Sequence, residues 1–224
     1  MDINFKFYII FIPVILFSLT IHEYAHAYIA HKLGDNTAKD QGRLTLNPLV
    51  HLDPIGTLLL LIAHFGWAKP VPVDPRNFKN PKKDLLYVAI AGPISNILTA
   101  VVSVILLKYV IVNYVSVESS YLFVEPLIVA LVWLIFIGVV LAVFNMLPIP
   151  PLDGSRVIYG ILPDKLAEQY RKIEVYGIFL LFGIFIFGGN ILGYIINYPV
   201  AVFIDLCNFN NTELNIIFSV LRSG

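Results

Sequence analysis

Apolar positions run almost unbroken from Phe5 to Ile21, with Lys6 as the only charge, and continue to Leu33 with His22, Glu23, His26 and His31 set among them. Read as one helix, this stretch is roughly 43 Å long, more than the hydrocarbon core of a bilayer. Its polar end can therefore stay helical while nearing the interface. A cleavable leader ending at Ala25-His26-Ala27 is the rival reading. The length of the run, and the charge and imidazoles crowding the supposed cut, argue against it.

Residues 34–54 are polar and rich in Gly, Asn and Pro. Ile55 to Phe65 is apolar but too short to span, which predicts a re-entrant or interfacial segment. Short alternating pieces flank it, Arg43-Leu44-Thr45-Leu46 before and Lys69-Pro70-Val71-Pro72-Val73 after, and read as strand-like. Leu85 to Val112 predicts a span with Lys108 snorkelling near its end, and Leu122 to Leu147 another. Val175 to Cys207 would be roughly 50 Å as one straight helix. Interrupted by Gly188-Gly189-Asn190 and Pro199, it reads as one span plus a broken or returning segment. Residues 208–224 read as an amphipathic surface helix. The pattern predicts an all-α polytopic membrane protein, one domain over 1–224, with about four to six membrane segments and a short re-entrant/β-strand region after the first helix.

Composition supports this. Of 224 residues, 58% are hydrophobic and 13% charged, with 15 basic and 15 acidic side chains. Too few charges remain to cover a soluble domain, which argues against a disordered chain, a nucleic-acid binder and a conventional cytosolic enzyme. The lone Cys207 forms neither an intramolecular disulfide nor a multi-cysteine zinc site, and reads as a lipid-facing or packed apolar residue. Lys and Arg concentrate at 67–84 (Lys69, Arg76, Lys79, Lys82, Lys83) and at 148–174 (Arg156, Lys165, Arg171, Lys172), and are absent from 113–121. By the positive-inside rule the first two connections face the cytoplasm and the third faces outward. The N-terminus is then outside if 34–84 stays cytoplasmic.

His22-Glu23-Tyr24-Ala25-His26 is an HExxH motif. On a helix, His22 and His26 lie about 40° apart around the axis, so both imidazoles reach one metal ion. Glu23 projects about 100° away. It can approach a water at such an ion without being a ligand, as suits a general base. Imidazoles and a carboxylate inside a membrane helix are costly without partners, and default to a functional reading. A set of interfacial polar residues bonded to their neighbours is the structural alternative.

A catalytic zinc site typically takes three protein ligands. His31 turns about 140° from His26 and reads as interfacial. His51 and His64 are candidates that read more readily as solvated or packed histidines. Asp153 is the better candidate. It follows Asn145-Met146-Leu147-Pro148-Ile149-Pro150-Pro151-Leu152, whose prolines break the helix at the cytoplasmic end of the span, and Gly154 permits a sharp turn after it. Unwound backbone at membrane depth implies a water-filled cavity or protein cover, which predicts a polar channel bordered by 34–84 and Pro148–Gly154.

HExxH at His22–His26, the downstream Asn145…Pro148-x-Pro150-Pro151-Leu152-Asp153-Gly154, and Gly92-Pro93-Ile94-Ser95-Asn96 (similar to a G-x-x-x-N element) together resemble the site-2 protease family of intramembrane metalloproteases. The resemblance covers about residues 5–160, and is to a minimal member without PDZ insert or CBS extension. It implies one zinc per chain on His22, His26 and Asp153, with Glu23 activating water. The implied activity is hydrolysis of peptide bonds within or near the transmembrane segments of membrane-protein substrates. Asn96 and Asn145 would be polar groups near the site, holding substrate backbone or the oxyanion. Read without the resemblance, Asn96 is an interhelical hydrogen-bonding residue and Asn145 a helix cap. A helical substrate must unwind to be cut, and the pieces at 43–46 and 71–73 are expected to pair with it by β-addition. The implied setting is the lipid bilayer of the cell membrane, with the active site toward the cytoplasm and no nucleic-acid partner. The alternatives are an ion-binding transporter or channel, which lacks support from any inverted repeat, and an HExxH protease of another type.

Overall fold

The computed structural model describes residues 5–63, 66–115 and 118–223, and its named elements are all helices or helical turns. Helix α1 (Phe5–Lys32) carries HExxH near its C-terminal end. A single turn, α2 (Thr37–Asp40), a 3-10 turn at Pro48–His51 and the short α3 (Pro54–Ala63) follow. Extended loop then leads to α4 (Pro81–Val110), which begins with proline at its first position, where a missing N–H costs nothing. The Asp84 carboxylate accepts the Asn80 N–H ahead of it at 2.9 Å. A π-turn at Ile111–Val115 prolongs α4, and α5 (Glu118–Asn145) returns. The chain closes with α6 (Asp153–Ile161), α7 (Asp164–Ile173), α8 (Gly177–Phe187), α9 (Gly189–Leu206) and α10 (Asn211–Ser223).

Among the described residues, three helices are long and apolar enough to cross a membrane: Tyr8–Lys32, Pro81–Tyr114 and Val124–Asn145. Their faces are those of a protein in lipid. On α4 the buried positions include small or polar residues (Gly92, Asn96, Ala100, Ser103), while Ile94, Leu98, Val102, Ile105 and Tyr109 are exposed. Small residues inside let backbones approach where apolar burial alone gives no drive. At one crossing, a Cβ on Gly138 of α5 would sit 2.8 Å from the Asn96 carbonyl oxygen of α4. Below it Ala100, Val104 and Leu107 pack with Ile128, Val132, Ile135 and Val139. Val200 and Ile204 of α9, and Ile217 and Val220 of α10, complete that core.

Several expectations are met and others corrected. The run at 175–207 breaks at Gly188, whereas Pro199 lies inside α9. The C-terminal stretch is helical and amphipathic, but its apolar stripe covers α5 and α9 as part of the core. Cys207 packs against that core, and Lys108 caps α9 by donating to the carbonyls of Cys207 and Asn208 at 2.7 and 2.9 Å. No strand forms at 43–46 or 69–73 among the described residues. Antiparallel pairing there is limited to a single bridge, Leu52 with Ala68. Pro70 and Pro72 have no N–H to give a ladder. The two pieces meet through a side chain instead, Arg43 donating to the Lys69 carbonyl at 2.6 Å. Of the predicted segment Ile55–Phe65, the described part is helix α3, with His64 and Phe65 outside the described residues.

Candidate metal centre

Four residues apart on α1, His22 and His26 face one stripe of α4 formed by Val88, Gly92 and Asn96 at the same spacing. His26 Nδ1 lies 2.7 Å from the Val88 carbonyl oxygen. A carbonyl only accepts, so Nδ1 donates, and in the neutral ring Nε2 keeps a bare lone pair. His22 Nδ1 lies 3.0 Å from the Asn96 amide, which is completely buried. Between these two anchors, Gly92 leaves room for the ring tips. A Cβ there would stand 2.5 Å from His26 Nε2 and 2.6 Å from His22 Nε2.

Asp153 arrives from the other side. The polypeptide leaves α5 at Asn145, turns through its proline-rich segment and re-enters helix at Asp153. Gly154 is needed for space rather than for an unusual dihedral. A Cβ on it would fall 2.3 Å from the Met146 carbonyl oxygen. The Asp153 Oδ2 atom is thereby set 3.1 Å from His22 Nε2 and 3.2 Å from His26 Nε2, which are 3.0 Å from each other. The three residues are 5, 6 and 7% exposed for His22, His26 and Asp153.

This arrangement fits a divalent cation. Oδ2 is buried and makes no hydrogen bond, although both imidazoles touch it. With the His26 proton committed to Val88, the lone pair of His26 Nε2 points at the same spot as the Asp153 oxygen and the tip of the His22 ring, as the donors of one cation do. Tetrahedral zinc bonds of about 2.0–2.1 Å would space their donors about 3.3 Å apart, close to what is seen. Among the described residues these are the three side chains grouped as a set of metal-binding donors.

Glu23 is beside the donors but not one of them. Its Oε2 accepts the Val71 N–H at 2.8 Å, and its Oε1 has no donor among the described residues. Val71 stands between two prolines, so it carries the one backbone N–H of residues 70–72. Asp35 secures the loop that brings it there. Completely buried, Asp35 accepts from the Thr37 hydroxyl and N–H at 2.5 and 3.0 Å, the Asn77 amide at 2.8 Å and the Asp74 N–H at 2.8 Å. Burial works against its charge, yet those hydrogen bonds prevail and hold its carboxyl below the ordinary range. Asp35 does not stand out in the sequence. Its one signal was an aspartate two residues before a threonine, a common turn pattern.

The other candidate residues lie elsewhere. Asn145 donates to the Leu141 carbonyl of its own helix at 2.9 Å, and no hydrogen bond joins it to the donors. His31 bonds to Asn36 at 2.6 Å, and the buried His51 meets the Thr45 carbonyl at 2.9 Å.

Comparison with known proteins agrees with this geometry. Residues 10–188 match the profile of peptidase family M50. The chain is 44% identical over 172 residues to the putative zinc metalloprotease YwhC of Bacillus subtilis, covering 77% of this chain and 78% of that one. It is 33% identical to the putative zinc metalloprotease Rip2 of Mycolicibacterium smegmatis, over 73% of this chain and 61% of Rip2. Zinc metalloprotease MJ0392 of Methanocaldococcus jannaschii is 26% identical over 72% of this chain and 37% of its own length. No solved structure gives a significant match. With four-fifths of its length inside that profile, and its HExxH helix packed against a distant aspartate, the chain belongs to peptidase family M50, the family of the site-2 proteases.

Proposed function

We propose that this protein is a zinc endopeptidase that cuts peptide bonds within or near transmembrane segments, from the cytoplasmic side of the cell membrane. The observation that carries the reading is the convergence of two imidazole nitrogens and a carboxylate oxygen at 3.0–3.2 Å, beside a glutamate that keeps one oxygen free. His22, His26 and Asp153 would hold the zinc. When bound, it supplies the Lewis acidity that lets water attack an amide at neutral pH. Glu23 Oε1 takes the proton of the attacking water and passes it to the leaving nitrogen.

The residues behind these groups fix their states. Val88 keeps the His26 proton on Nδ1. Asn96 does the same for His22 once its amide is turned so that Oδ1 accepts, an exchange of two atoms alike in shape. Asn96 is thus a positioning residue, whereas Asn145 closes the end of α5.

Purified protein incubated with a panel of single-span peptides should yield fragments by mass spectrometry. A chelator should abolish them and added zinc restore them. Cleavage indifferent to the chelator overturns the zinc assignment. Ion flux across proteoliposomes without cleavage favours the transporter.

The Val71 N–H orients Glu23. Val71→Pro removes that donor in a segment already flanked by prolines. Loss of a buried hydrogen bond to a carboxylate predicts a roughly ten-fold fall in kcat, with zinc content retained. Unchanged kcat refutes the role.

A further inference from the structure

Beside α6, and lined by none of the metal donors, lies a cavity of ≈ 250 Å³ bordered by the start of α4, by α6 and by α7. Pro81, Leu85 and Pro150 make its apolar wall, and Lys82, Arg156 and Arg171 bring cations to it. Glu174 is its one acidic lining residue. Two of these cations are already engaged. Lys82 donates to Asp164 Oδ1 at 2.7 Å and to the Leu162 carbonyl, and Arg171 pairs with Glu168 at 3.3 Å. Two other polar groups are satisfied as well, the Tyr170 hydroxyl donating to Pro148 and the Ser155 hydroxyl to Leu152.

Arg156 is different. Half-buried, it has no hydrogen bond or ion pair with any described residue, and it lines the cavity. Tyr159 also lines the cavity and also has no described partner. Three residues apart on a helix, the two are neighbours on one face. A guanidinium presents a planar fork of donors that matches the oxygens of a phosphate. The cavity lies against the first residues of α4, where that candidate span begins. Basic recesses between membrane helices at the ends of spans are suited to anionic headgroups.

We infer that this cavity binds an anionic phosphate group, carried by a phospholipid headgroup or free in solution, through Arg156 and Tyr159. Arg156 lies one turn beyond Asp153, so an occupant would tie α6 to α4 and α7 directly behind the metal ligand. The inference does not rest on peptidase activity, because binding is read without substrate.

The test uses the full chain in phosphatidylcholine nanodiscs, with and without a minor fraction of phosphatidylglycerol, and native mass spectrometry to count anionic lipid retained. The wild type should retain phosphatidylglycerol. Arg156→Gln should retain roughly ten-fold less, as expected for loss of a charge-assisted bond. Lys165→Gln, an exposed cation outside the cavity, should behave as wild type. A second arm titrates inorganic phosphate into phosphatidylcholine nanodiscs. A rise in thermal midpoint that Arg156→Gln abolishes identifies free phosphate as the source. Should Arg156→Gln fail to fold, Tyr159→Phe keeps the charge and removes only the hydroxyl, with a several-fold loss expected. Equal retention by wild type and the cavity variants with no response to phosphate, or an equal loss in Lys165→Gln, overturns the proposal.

Discussion

Glu23→Gln should leave zinc bound and cleavage reduced by about 10²-fold or more, the range that general acid–base catalysis contributes. The substitution separates chemistry from structure unusually well. Gln keeps the length of Glu and an oxygen that can accept the Val71 N–H, so the contact now measured at 2.8 Å survives. The three donors are other side chains and remain 3.0–3.2 Å apart. What disappears is proton affinity at the oxygen that no described residue occupies. A neutral amide cannot take a proton from water, nor return one to the departing nitrogen. The measurements are zinc per chain by elemental analysis and kcat/KM on a single-span peptide. Turnover within ten-fold of wild type, at full zinc and free of contaminating protease, would remove Glu23 from the mechanism.

The parts of this site legible in the sequence were those that depend on one helix or one short segment. The spacing of His22, Glu23 and His26 fixes their angles around a single axis, whatever they pack against. Asp153 stood out because three prolines in four residues leave few local conformations. Orientation by charge then brought both motifs to the same side. Relations between helices were much less legible. That the Val88 carbonyl meets His26, and that Gly92 lies against both ring tips, depends on how α1 is shifted and rotated along α4. Hydrophobic patterning cannot set that register when the exposed face of α4 is the more apolar one and its buried face carries Gly92, Asn96, Ala100 and Ser103. The loop illustrates a different failure. Alternation at 43–46 and 69–73 suggested strands, but Pro70 and Pro72 remove the very groups a ladder needs. The same prolines leave Val71 as the segment's single donor. Asn145 was read from the company of its motif, whereas its amide bonds four residues back on its own helix, as a cap would.

Gly92→Ala should raise the helical propensity of α4 and destroy the metal centre. In a helix interior Ala is favoured over Gly by up to about 1 kcal/mol, so α4 itself has no reason to unfold. The added methyl, however, would lie 2.5 Å from His26 Nε2 and 2.6 Å from His22 Nε2, well inside van der Waals contact. The yielding atoms are the tips of two imidazoles rather than backbone, so the rings swing aside and the fold persists. Relief has a consequence for chemistry, because those same tips meet Asp153 Oδ2 at 3.1 and 3.2 Å. Turning either ring also strains its anchor, the Val88 carbonyl at 2.7 Å or the Asn96 amide at 3.0 Å. Loss of an outer anchor alone typically weakens metal binding about 10–100-fold. Displacing the ligands themselves should therefore cost at least about 100-fold in zinc affinity. The expected result is a folded, helical, membrane-inserted protein with far less than one zinc per chain and no chelator-sensitive cleavage. Full zinc occupancy at wild-type affinity would mean that Gly92 does not shape the centre, and that the packing of α1 on α4 is not what holds the two histidines in place.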